Sequence, residues 1–211
     1  MNDTRSRESD SFFAVIRLKV DHYFSARQIQ RTGNFKLYIK SSIQILLAVG
    51  FYGALLFMPL PIWGQLVGAI LLGLSLAVLG FNIMHEGGHQ SFSRHDFLNS
   101  AAAYMLNALG GNTHYWKIKH NINHHTFTNI HGADSDINVE PFMRLHPHQP
   151  LRKMHRYQHV YWFFLYGISY MAWVFYEDFV KYFTRKVAVH MTPQPLSVKE
   201  HLIFLVHENL V

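Results

Sequence analysis

The sequence predicts an all-α membrane protein: a transmembrane helical hairpin followed by interfacial and cytoplasmic helices that carry histidine boxes. Three observations predict it. No Asp, Glu, Lys or Arg occurs from Ser41 to Met84. Only 15% of the 211 residues are charged, against ~25% in an average soluble domain, while 49% are apolar and 15% aromatic. There are 16 histidines and no cysteine, and all of the histidines but His22 lie beyond the charge-free run. Without cysteine there is no disulfide framework, thiolate metal site or cysteine nucleophile, and histidine is the plentiful candidate for metal ligation. The net charge is +6, but Arg5, Arg7, Arg17, Lys19, Arg27, Arg31, Lys36 and Lys40 all precede the apolar run. Basic residues so placed mark the cytoplasmic flank of a spanning segment and not a surface for nucleic acid.

Residues 1–11 are polar and lack the charged-then-apolar pattern of a signal peptide. From Phe12 to Phe24, apolar Phe12, Phe13, Val15, Ile16, Val20 and Phe24 mix with Arg17, Lys19 and Asp21. That mixture suits a helix lying on the membrane surface, or equally a solvated helix packed on the rest of the chain. Ser41–Leu60 and Ile62–Met84 each reach the ~20 residues needed to cross a bilayer core, and Pro59 and Pro61 break the run between them. With the basic flank inside, both ends of this hairpin lie inside, which places His85 and His89 at the cytoplasmic surface. Asn99–Asn112 is too short to cross and reads as an interfacial or half-buried helix ended by Gly110-Gly111. Residues 126–158 read as a histidine-rich loop region with short helical pieces. Val160–Tyr176 is strongly aromatic, but Arg152, Lys153 and Arg156 precede it and Lys181, Arg185 and Lys186 follow. Positive flanks on both sides predict a helix embedded in the interface and not a third crossing. His201–Val211 begins another apolar segment of about half a spanning length.

Two groups of residues carry metal chemistry. In His85-Glu86-Gly87-Gly88-His89 the histidines stand i, i+4 on one helical face, a spacing that lets two imidazoles share a metal. In His120-Asn121-Ile122-Asn123-His124-His125 an α-helix puts His120 and His124 on one face and offsets His125 from His124 by ~100°. One helix can thus serve two nearby ions, and imidazole without thiolate suits iron, copper, nickel or zinc. The first group is also a literal H-E-x-x-H zinc-protease motif, with His95 at the position of a third ligand. Against that reading, Phe92 occupies the required glycine, Gly87 and Gly88 each weaken the helix by ~1 kcal/mol relative to Ala, and His120, His124 and His125 are left unexplained.

His85-xxx-His89 after a hairpin, then Trp116-xxx-His120-Asn121-xx-His124-His125-Thr126, then Thr128-Asn129-Ile130-His131-Gly132-Ala133-Asp134-Ser135-Asp136-Ile137, resembles the membrane fatty acid desaturases. More narrowly the chain resembles their bacterial acyl-lipid, linoleoyl-CoA-desaturase-like branch, from about Val20 onward. The resemblance implies an integral, multi-pass protein whose three histidine boxes hold two iron ions at the cytoplasmic face. It implies dioxygen as co-substrate and a cis double bond introduced into the acyl chain of an acyl lipid or acyl-CoA. By the same likeness His85, His89, His120, His124 and His125 are iron ligands. Glu86, Asp134 and Asp136 would orient ligand N–H groups, with a solvated surface carboxylate the simpler reading of Asp134. There is no cysteine for an iron–sulfur cluster and no His-Pro-Gly-Gly for haem, so electrons are expected from an external ferredoxin- or cytochrome b5-type donor. The family's third box, of Gln-xx-His-His type, has no counterpart here, and His201 and His207 do not make one. The expectation is therefore an N-terminal portion of a desaturase domain: a 1–40 cytoplasmic or interfacial segment, a 41–84 hairpin, an 85–159 histidine-box region, and 160–211 with the aromatic helix and a partial apolar segment. A related hydroxylase, ketolase or alkane oxygenase and an inactive membrane fragment are the alternatives. His114 and His131 are assigned hydrogen-bonding or surface roles; His22, His146, His148, His155, His159 and His190 are read as interfacial or solvated.

Overall fold

The computed structural model describes residues 11–188 and 195–208. The polar opening at 1–10, His190 and the side chain of His207 lie outside the described residues. Among those described, the chain is helix and loop with no β-strand, as the sequence predicts. Helix α1 (Phe12–Arg27) starts where Ser11 Oγ accepts the Ala14 N–H at 3.2 Å and ends at Gln28, whose φ of 51° stops the helix in the left-handed region. None of its residues is buried.

Helix α2 (Phe35–Phe57) begins six residues before the charge-free run because Asn34 Oδ1 caps the N–H groups of Lys36 and Leu37. Helix α3 (Ile62–Gly88) starts after Pro61 and runs without interruption into the first histidine group. Both are long and apolar enough to cross a membrane, and only 11% of the most apolar stretch of either is buried. A pair of core helices in a soluble domain would hide that surface; here it faces outward, which makes lipid its natural solvent. The two helices approach closely where Gly68 meets Leu55. At the other end, Lys40 Nζ donates to Asn82 Oδ1 at 2.9 Å, so the basic flank is tied to the histidine end of the hairpin.

Helix α4 (Asp96–Ala108) is half-buried, as its length predicts. Its inner face of Asn99, Ala102, Ala103 and Leu106 lies against the end of α3. Asn99 locks the turn before it, accepting the Ser93 N–H and donating to the Ser93 carbonyl, both at 2.8 Å. The loop ahead of α2 is pinned to the same place by Gly33 N–H on Ser91 O at 2.8 Å. Helix α5 (residues 113–127) carries the second group, and residues 135–137 and 153–157 form short helical turns in the predicted loop region.

Helix α6 (residues 158–184) extends the aromatic segment past a wide π-helical turn at Trp173–Glu177. Val160, Phe163, Phe164, Tyr166 and Ile168 are exposed on it. Its lower end is held by one buried carboxylate. Asp178, 0% exposed, accepts the Asn112 N–H at 2.9 Å, the Trp173 indole N–H at 3.0 Å and Lys181 Nζ at 2.8 Å. Lys181 is therefore a buried partner of Asp178 and not a free cation flanking the segment, which removes one of the charges on which the interfacial reading of α6 rests. His155, read as interfacial or solvated, is buried: Nδ1 accepts the Arg152 N–H at 3.1 Å and Nε2 lies 2.9 Å from Pro141 O. Helix α7 (Val198–Glu208) opens with Ser197 and Glu200 capping each other. It docks on α5 and α6 through His114 Nδ1 to Glu200 Oε1 at 2.8 Å and through Phe204 stacked on Tyr182 at 4.0 Å.

Replacing Asp178 leaves Lys181 buried without its partner and strips the acceptor from two further donors. Asp178→Ala is expected to cost ~3–5 kcal/mol, read as a lowered Tm of the detergent-purified chain. Asp178→Asn, which keeps one acceptor oxygen, should lose less.

Candidate metal centre

Four of the five predicted ligands converge. His85 and His89 lie one turn apart with ring centroids 4.5 Å from each other. Across the cleft His120 brings its Nε2 to 3.1 Å from that of His85, and His125 brings its Nε2 to 3.3 Å from that of His120. His89 closes the ring, 4.8 Å from the His125 centroid and 5.2 Å from that of His120.

The helix that carries the second group is not a regular α-helix. Residues Ile118–His124 form a π-turn, in which the His125 N–H bonds to the His120 carbonyl. Widening the turn to i, i+5 brings His120 and His125 onto one side, where an α-helix would pair His120 with His124. His124 still stacks on His120 at 5.4 Å, but its Nδ1 turns away to Asp134, at 3.0 and 3.2 Å from the two oxygens. A second π-turn, Gly80–Met84, immediately precedes His85. Both histidine groups thus sit at helical irregularities of the kind that recur at functional sites.

Asp134 is 1% exposed, not a solvated surface carboxylate. Burial works against its charge, but the N–H groups of Asn129 at 2.8 Å and Asp136 at 2.9 Å, together with His124, hold its carboxyl below the ordinary value. An ionised carboxylate only accepts, so His124 Nδ1 carries a proton, and in the neutral tautomer this selects, Nε2 holds the lone pair that a metal ligand requires. Glu86 does otherwise than expected: it accepts from the Ser91 hydroxyl and orders the turn after the first group. His95 stands at the start of α4 with its ring accepting from Arg94 Nε at 3.2 Å, outside the group of ligand nitrogens that His85, His89 and His120 bring within 4.8 Å of one another. The arrangement does not assemble the protease triad.

Burial favours the neutral form of His120 and His89. Burial, then the neighbouring charges of His85, His125 and His89, push His120 down to about 4, with Asp136 opposing. His89 is lowered for the same first reason, then by His85 and His125. A neutral imidazole offers one donor and one lone pair, so nitrogens 3.1 and 3.3 Å apart on three rings cannot all be satisfied by one another's protons. His89 Nε2 is buried with no hydrogen-bond partner among the described residues. Converging lone pairs and an orphaned buried nitrogen fit a bound transition metal ion.

Residues that motif reading left without a role hold the rings in place. Trp116 stacks on His120 at 4.6 Å, with a 20° angle between the planes, and sets its edge against His85. Gly88 makes room for it: a Cβ there would lie 2.2 Å from Trp116 Cζ3. Asn121 Nδ2 donates to Gly88 O at 2.8 Å. Asn123, fully buried, donates to Ala133 O at 2.8 Å and accepts the Ser135 N–H at 3.0 Å, folding the following loop back so that Asp134 meets His124.

Asp134→Asn loses the fixed His124 tautomer, and metal affinity should fall 10–100-fold, measured by competition with a chelator in detergent. Its pH dependence has a definite sign. The folded carboxyl is held below its unfolded value, so its stabilisation is present above the ordinary carboxylate range and disappears as pH falls through it. Tm of the parent should therefore drop more steeply on acidification than Tm of Asp134→Asn. Gly88→Ala, which displaces Trp116 from His120, should lower metal occupancy; Gly87→Ala, whose Cβ would meet backbone of α4 at 2.5 Å, should lower Tm as well.

Comparison with known proteins identifies the family. The family model described as fatty acid desaturase matches residues 61–207. Over 191 residues, covering 90% of the chain and 52% of the relative, it is 31% identical to the sn-1 linoleoyl-lipid 6-desaturase of Arthrospira platensis. It is 29% identical over 189 residues to the sn-1 linoleoyl-lipid 6-desaturase of Synechocystis sp., covering 89% of the chain and 53% of the relative. With the acyl-lipid (8-3)-desaturase of Physcomitrium patens it shares 27% identity over 197 residues, covering 90% of the chain and 41% of the relative. The chain spans about half the length of the first two relatives. No solved structure matches. The matched region contains both histidine groups and the hairpin's second helix, and the chain belongs to the fatty acid desaturase family.

Proposed function

We propose that this chain forms the hairpin and first two histidine boxes of an oxygen-dependent acyl-lipid desaturase, with His85, His89, His120, His124 and His125 as iron ligands. The observation that carries the reading is the convergence of imidazole lone pairs around His120, with His124 set by a buried carboxylate. Iron bound there supplies the redox step that an unactivated methylene needs, because its hydrogens are not acidic and no side-chain base can remove them. The chain's own residues do the rest. Asp134 fixes the proton of His124 on Nδ1, Trp116 and Gly88 hold His120 against His85, and burial keeps His120 and His89 neutral.

Location selects the substrate. The site stands at the end of a 27-residue apolar helix whose outer face is open to lipid, within reach of an acyl chain still in the bilayer. The named relatives act on acyl lipids, which favours a lipid-borne chain over acyl-CoA. The positive residues before α2 favour the cytoplasmic side for this end of the hairpin, and the exposed aromatic face of α6 suits the headgroup region. Electrons would come from a separate ferredoxin- or cytochrome b5-type protein, which reaches the site from the same side.

Expression of the full-length protein that carries this chain, in a host whose membrane lipids lack polyunsaturated chains, followed by fatty-acid profiling, tests the reading. A new cis double bond in lipid-bound chains, abolished by His120→Ala, is the expected result. A hydroxylated chain would transfer the protein to the oxygenases of the same superfamily, and an unchanged profile with iron-loaded protein in the membrane would overturn desaturation of those lipids.

A further inference from the structure

A second cluster of histidines lies outside the box. The rings of His131 and His146 stack at 5.3 Å with 13° between their planes, and His148 stands 5.0 Å from His146 and 6.0 Å from His131. One nitrogen from each ring falls within 4.8 Å of the other two. We propose that His131, His146 and His148 form a separate binding site for one borderline divalent transition metal ion, of which Zn²⁺ is the natural probe, with water completing its coordination. Three imidazoles without thiolate suit zinc, nickel, copper or cobalt. On a tetrahedral zinc at ~2.0–2.1 Å, ligand nitrogens stand ~3.3 Å apart, so modest ring rotations close the triad.

The ligands sit on two loops that are built, not loose. His131 lies on the turn after the second box, where the N–H groups of Ala133 and Asp134 both bond to Ile130 O at 3.1 and 2.9 Å. Gly132 follows with a φ of +78°, and Asn123 clamps the turn through Ala133 O. The other loop is organised by Gln149, only 3% exposed. Its Oε1 accepts the N–H groups of Leu145 and His146 at 2.7 and 2.9 Å, and its Nε2 donates to Ile137 O at 2.8 Å. That last bond ties the two loops together. Arg144 is a charge that opposes a cation here, and its donors are held by carbonyls, with Nε on Gln149 O at 2.9 Å and a second contact to Pro147 O. A bound ion must displace the 3.2 Å contact from His148 N–H to His146 Nδ1 or bind that ring through Nε2. Among the described residues no carboxylate pairs with any of the three rings.

The site has a structural consequence. His131 belongs to the loop whose Asp134 orients His124, so an ion bridging it to His146 and His148 fastens that loop to residues 144–149 from outside. The assignment uses none of the box ligands, and its test is separable from theirs. The chain, purified in detergent without a histidine tag, is titrated with Zn²⁺ and the bound metal counted by mass spectrometry, with Co²⁺ as a spectroscopic stand-in. At micromolar free zinc the expected result is one equivalent that disappears in His146→Ala/His148→Ala and in His131→Ala. That equivalent should persist in His85→Ala/His120→Ala. His146→Ala/His148→Ala and His131→Ala should both keep the parent Tm in the absence of metal, separating loss of ligands from loss of fold. Zinc uptake unchanged in His146→Ala/His148→Ala, or lost instead in the box variant, overturns the assignment, as does no uptake at micromolar zinc.

Discussion

The geometry of the centre depends on how closely the end of α3 can approach α5, and Gly88 sets that distance. Trp116 lies where any Cβ at Gly88 would stand, 2.2 Å from its ring. Its indole is then free to stack on His120 and to meet His85 and His89 edge-on. Asn121 bonds to the Gly88 carbonyl at 2.8 Å and fixes the same approach from the other side. Gly87 plays the matching part toward α4, where a Cβ would lie 2.5 Å from the Ala103 backbone nitrogen. Glycines that weaken an isolated helix by ~1 kcal/mol each are what allow three helices to meet here. Their intrinsic cost is offset by the packing they permit, and a helix continuing out of a membrane-spanning segment already has its nucleus.

The hairpin was legible from the sequence because it depends on a property that needs no partner: length without charge in a medium that solvates neither N–H nor C=O. The i, i+4 pairing of His85 and His89 was legible for a similar reason, since it follows from local helical geometry. The second group was only half legible. Its five-residue spread suits an α-helix for His120 and His124 and a π-turn for His120 and His125, and nothing local chooses between them. The choice is made by Asp134, ten residues on, which takes His124, and by the His85 and His89 rings, which meet His120 and His125.

What the sequence hid were the long-range polar contacts. The Asn112 N–H and the Asp178 carboxylate are 66 residues apart in the chain, yet their bond joins the aromatic helix to the start of the ligand helix. Lys181 reads as a membrane flank until its buried partner is known. Asp134 reads as solvated because acidic residues in polar loops mostly are, and three donors that become available only on folding reverse that. Asn99, Asn123 and Gln149 belong to the same class: buried side-chain amides that organise turns, inconspicuous in a sequence because their acceptors and donors are backbone groups.

These amides and carboxylates also explain how the histidine rings come together at the end of an apolar hairpin. Bringing imidazoles together is unfavourable if they are protonated, and burial tips His89 and His120 toward the neutral form. The apolar helices contribute to that burial, while the polar network at Asn99, Asp134 and Asp178 pins the chain segments that carry the rings. Neither part suffices alone. A hairpin without the network would leave the ligand helix free to slide along it, and a network without the hairpin would leave the rings in water, where protons compete for every lone pair.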